Sequence, residues 1–89
     1  MDFKFTEQQE LLRKSVREFA EKEIAPRVEE MEESEQEPVD LYKQMAQLNL
    51  FGVTIPREFG GMGMGLFERM IVLEEVSRVS AAIGMALQV

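Results

Sequence analysis

Apolar residues recur at spacings of three and four near the start of the chain, with Leu12, Val16, Phe19, Ala20 and Ile24 on one side and Arg13, Lys14, Arg17, Glu18, Glu21 and Lys22 filling the rest. That period predicts an amphipathic helix with one buried face. Thr6 followed three residues later by Gln9 makes a capping-box pattern, and Glu7 with Glu10 places negative charge at the positive end of the helix. Pro26 has no N–H to donate to Lys22, so it kinks this helix or restarts it, and Val28 with Met31 extends the stripe by one turn.

A second helix is predicted from near Pro38 through Val39, Leu41, Tyr42, Met45, Ala46 and Leu48, closed by Asn49 in a left-handed conformation. Val53-Thr54-Ile55 carries strand-forming side chains but is cut short by Pro56, and reads as an extended connector. Residues 59–65 hold four glycines and form a turn. A third helix over 66–79 is expected to point Leu66, Met70, Leu73 and Val76 at the core, with Ile71 and Val72 widening that face. Ser80 caps a fourth helix, 81–89, whose only polar side chain is Gln88. Apolar on nearly all sides, it is expected to be buried on nearly all sides, and it carries no stop signal. The pattern predicts an all-α bundle of about four helices, truncated in the last.

Composition narrows the chemistry. The 89 residues are 45% hydrophobic and 30% charged, which fits one small soluble domain. With no Cys and no His, a disulfide framework, a thiolate nucleophile, a histidine base and a Cys/His zinc site are all excluded. The formal charge of −7 is local, because residues 29–37 hold six glutamates and no base while the flanks nearly balance. Such a run is usually a solvated bend or a fraying helix end. The ten Lys and Arg are dispersed among acids, which argues against nucleic acid as a partner. Met1-Asp2-Phe3-Lys4-Phe5-Thr6 lacks the basic start and apolar run of a secretory signal, and the longest near-apolar stretch, 81–89, is far short of the roughly 20 residues that cross a bilayer. The expectation is a soluble, cytoplasmic chain.

Three features invite chemistry. The glycine loop can be a phosphate cradle, but it has neither GxxxxGK[ST] nor a GxGxxG in register after a strand, so a turn between helices is the better reading. Glu74-Glu75 and the acidic run supply carboxylates without calcium-loop or Glu-x-x-His spacing; solvated helix surface, with a Glu74–Arg78 pair, accounts for them. Of the seven methionines, Met45 and Met70 lie on predicted core stripes, and Met62 and Met64 suggest contact with another domain or subunit. Met85 is the best placed to line an apolar cavity, although ordinary core packing is the favoured account of the set.

The order of features carries more. Phe5-Thr6-Glu7-Gln8-Gln9 opening a helix, Phe19-Ala20 leading to Ile24-Ala25-Pro26, then Gly52-Val53-Thr54-Ile55-Pro56 running to Gly60-Gly61-Met62-Gly63, then Leu73-Glu74-Glu75-Val76-Ser77-Arg78, closely resemble the N-terminal helical domain of the FAD-dependent acyl-CoA dehydrogenases. The resemblance spans the whole chain but only the first quarter or so of such an enzyme. It implies that residues 1–89 are a fragment, lacking the flavin-binding β domain and the C-terminal helical domain. It further implies flavin-dependent α,β-desaturation of an acyl-CoA thioester, with an electron-transferring flavoprotein as electron acceptor. The family's catalytic glutamate and most flavin contacts lie downstream, so no catalytic or cofactor-binding residue is assigned here, and the chain alone is expected to be inactive and not to bind FAD. The register of the fourth helix implies that Met85 and Val89 face the acyl tail. The alternative, from a different class, is a self-contained helical module that homo-oligomerises through its last helix; exposed apolar surface favours self-association under either reading.

Overall fold

The computed structural model describes residues 4–34 and 36–88. Thr6 is extended; its hydroxyl accepts from the Gln9 amide, and its own amide donates to Gln9 Oε1 at 2.9 Å. Both arms of the capping box are therefore made, and a cap of this kind is worth about 1 kcal/mol. Helix α1 (Glu7–Phe19) follows, with Leu12 and Val16 buried. The break expected at Pro26 takes the form of a change in winding. Ala20–Ile24 widen to a π-helical turn, in which the Ala25 amide reaches the Ala20 carbonyl, and Ala25–Arg27 tighten to 3-10 before α2 (Val28–Ser34). The wide turn relieves the proline ring of its clash with the preceding turn, while Ala20 and Ile24 stay fully buried.

Helix α3 (Val39–Gln47) buries Leu41 and Met45 and ends at Asn49, which has the expected left-handed conformation, φ 62°. Arg27 ties the end of the first arm to α3, donating to both Asp40 oxygens at 2.9 and 3.0 Å. This hydrogen bonding, together with the charge of Arg27, holds the Asp40 carboxyl below the usual carboxylate range. The folded value lies below the unfolded one, so the tether contributes in full above the ordinary carboxylate range and is lost as pH falls through the depressed folded value. A carboxyl NMR titration is expected to show Asp40 titrating low, and Arg27→Gln to return it to the ordinary range; an unmoved midpoint in that variant would refute the tether.

Residues 52–64 do not form the extended connector that Val53, Thr54 and Ile55 suggested. Val53 is helical, at φ −56° and ψ −45°, and the Ile55 amide turns back to the Gly52 carbonyl. The cause lies in the glycine-rich stretch, which folds over this segment. Met62 donates to Gly52, Gly63 to Ile55 and Met64 to Val53, so three carbonyls are drawn to one side. A Cβ on Gly61 would fall on the Ile55 carbonyl, and Gly60 and Gly63 are left-handed. Met62 and Met64 lie half-buried against the chain's own core, each with part of its surface still exposed.

Helix α4 (Leu66–Val79) lies beside α1 and runs in the same direction. Phe5 meets Phe67 at 5.7 Å between ring centroids, Gln9 donates to Glu68 at 3.4 Å, and Arg17 meets Glu75 a further two turns along. The core face of α4 is Ile71, Val72, Glu75 and Val76, whereas Leu66 and Met70, predicted to point inward, are 71% and 63% exposed. The helix carries two apolar stripes, and the buried one also seats Glu75 against Arg17. Glu75 is accordingly buried, not solvated, and its helical partner is Arg78 at 3.7 Å, where the sequence had suggested Glu74 with Arg78.

Ser80 turns the chain and caps α5 (Ala81–Gln88), its hydroxyl accepting from the Ile83 amide at 3.2 Å. Gly84 lets α5 close on α4 at Ser77. Burial of α5 is one-sided: Ile83, Gly84 and Leu87 face inward, while Ala81, Ala82, Met85 and Gln88 are exposed. The all-α class and helix order are as predicted, and among the described residues there is no strand. The elements make a slab of 40 × 33 × 19 Å, about two helix diameters thick.

Candidate functional site

The outward face of α5 forms one wall of a groove whose other wall is α2 and the start of α3. Its volume is about 570 Å³, within the range of small-molecule sites. Val28 and Met31 from α2, Tyr42 from α3, and Ala82 and Met85 from α5 supply the apolar lining. Met85, singled out from the sequence, is 68% exposed and lies in this groove. Val89, its proposed companion, lies outside the described residues.

Glu32, Gln36 and Glu37, all exposed, add a polar edge, and no Lys or Arg lines the groove among the described residues. The Tyr42 hydroxyl donates to Glu37 Oε2 at 2.8 Å and fixes that carboxylate at the rim. Burial pushes the Tyr42 phenol above its ordinary pKa, and the hydrogen bond and charge of Glu37 act in the same direction, so the donor stays protonated. Sequence reasoning had treated these glutamates as a solvated bend. No local signal connects them to Met85, some fifty positions away; only the tertiary crossing of α2 and α5 does.

The other candidates carry structure. Both Glu75 oxygens accept from Arg17, at 2.9 and 3.0 Å, and these bonds hold the Arg17 guanidinium above its ordinary pKa. Such a carboxylate is committed to an ion pair and is not free to act as a base. In the glycine loop the amides of residues 60–64 all donate to carbonyls of residues 52–57, so they cannot cradle a phosphate and do not fit a flavin pyrophosphate. Among the described residues no acidic group has the geometry of a metal site, and no helix is long and apolar enough to cross a membrane.

Residues 6–89 match the family model described as acyl-CoA dehydrogenase, N-terminal domain. The chain belongs to that family. An acyl-CoA dehydrogenase of Bacillus subtilis (strain 168) is 42% identical over 84 residues, which cover 94% of this chain and 22% of that protein. A 3-(aryl)acrylate reductase of Clostridium sporogenes is 42% identical over 83 residues, 93% of this chain and 22% of the relative. Among solved structures, glutaryl-CoA dehydrogenase in its glutaryl-CoA complex superposes with a TM-score of 0.92 at 37% identity, covering 98% of this chain and 23% of that one. This acyl-CoA dehydrogenase N-terminal domain therefore spans about a fifth of the length of the curated relatives it matches.

Proposed function

We propose that the chain is the N-terminal helical layer of a flavin-dependent oxidoreductase that removes hydrogen from the α and β carbons of an acyl-CoA thioester, and that the Met85 face of α5 borders the acyl tail. The observation that carries this is the pairing of family membership with an open apolar groove on that helix. Relatives named as dehydrogenases and as reductases share this domain, which suits a part that holds substrate and leaves the direction of electron flow to the rest of the protein. FAD, when bound, supplies the hydride acceptor. The residues here do not fit its phosphates, and the reading places the cofactor, the catalytic base and the contact with an electron-transferring flavoprotein outside these 89 residues. The chain alone is expected to be colourless and inactive.

The competing reading, a module that homo-oligomerises through its last helix, is weakened by the burial of Ile83, Gly84 and Leu87 against α4 within one chain. Grafting decides between the two. Residues 6–89 are substituted for the matching segment of the B. subtilis relative, and the purified chimera is mixed with acyl-CoA. Acyl-CoA-dependent bleaching of the flavin is expected; a chimera that folds and holds FAD but never bleaches would overturn the proposal.

A further inference from the structure

The α2–α5 groove has a property that its apolar lining does not explain. Its edge is acidic without compensation: Glu32 and Glu37 face the opening, Glu29, Glu30 and Glu33 lie on the same helix, and no base lines the cavity among the described residues. Glu37 is exposed and accepts from the Tyr42 hydroxyl at 2.8 Å, which orients its carboxylate beside the groove. The lining just inside, Met31, Ala82 and Met85, is apolar. A ligand seated there presents its far end to two carboxylates. Two unit charges about 6 Å apart in a water-like medium alter binding by roughly threefold, and salt screens this further.

We infer that the groove selects its occupant by the charge of the chain terminus: it takes an aliphatic tail with an uncharged or cationic end and disfavours one ending in a carboxylate. Glu32 and Glu37 are the specificity-determining residues, and Met31 and Met85 the chain contacts. The same rim repels the phosphates of coenzyme A, so an acyl-CoA enters with its tail toward α2 and its nucleotide away from it. The inference rests on the reading that the Met85 face borders the acyl tail.

The test uses the chain labelled with 13C at its methionine methyls and titrated with octanol, octylammonium and octanoate. Met31 and Met85 are expected to shift with the first two and Met45, which is fully buried, to stay still. Octanoate is expected to bind about three- to tenfold more weakly than octanol at low salt, a gap that closes at high salt and in the Glu32→Gln/Glu37→Gln double variant. Equal shifts at Met31 and Met85 with all three probes would overturn charge selection and leave the tail site standing. No shift at Met85 with any probe would overturn the tail site itself, and the inference with it.

Discussion

Replacing Gly61 by alanine is expected to destabilise the fold by about 3 kcal/mol, the scale of overpacking where backbone must move. The added Cβ meets the Ile55 carbonyl, which is backbone and already accepts from the Gly63 amide, so neither side can yield by rotating a side chain. Relief requires the glycine-rich stretch to lift from residues 52–55, breaking the three bonds that anchor it. For a chain of this length the melting temperature is expected to fall by roughly 15 °C. Gly60→Ala is the control. Its Cβ enters open space, so only the left-handed backbone, φ 89°, opposes it, at about 1 kcal/mol. Thermal or urea denaturation of the two variants checks the ordering, and a Gly61→Ala protein no weaker than Gly60→Ala would contradict the close approach.

The second large effect is an asymmetry. Glu75 is 4% exposed and depends on Arg17, whereas the Arg17 side chain is 37% exposed and can be hydrated without its partner. Arg17→Met therefore strands a buried carboxylate, with Arg78 at 3.7 Å as partial compensation, at a cost of about 2–3 kcal/mol to the Glu75 group. Glu75→Leu removes the charge and leaves an apolar group on an apolar face, and is expected to stay within about 1 kcal/mol of the parent. Urea unfolding of both variants decides it: equal losses would mean that the pair acts as a simple surface bridge.

Local chemistry was legible in the sequence to the extent that neighbours a few residues away complete it. The Thr6–Gln9 box, the α1 stripe, left-handed Asn49 and the Ser80 cap are all of this kind. The inward face of α4 was legible in part: Ile71, Val72 and Val76 were expected there and are buried, but Leu66 and Met70 were expected with them and are exposed, and nothing local shows that Glu75 is buried against Arg17, 58 residues earlier. Val53–Ile55 misled for a related reason: the side chains favour a strand, but amides of residues 62–64 bend their carbonyls into a turn. Of the site, Met85 could be picked out as a methionine of the near-wholly apolar last helix, placed to line an apolar cavity. Its acidic rim could not, since nothing near Glu32 and Glu37 in the chain anticipates α5.

The same-direction pairing of α1 with α4 bears on how the molecule assembles. Antiparallel helices joined by a short turn can meet as soon as both exist, but Gln9 reaches Glu68 and Arg17 reaches Glu75 only across separations of 59 and 58 residues. The closure entropy of so long an excursion must be met before its contacts form, which raises contact order and slows folding relative to an up-down bundle of equal size. On the ribosome α1 emerges first and waits, its apolar stripe unpaired, until α4 has been synthesised.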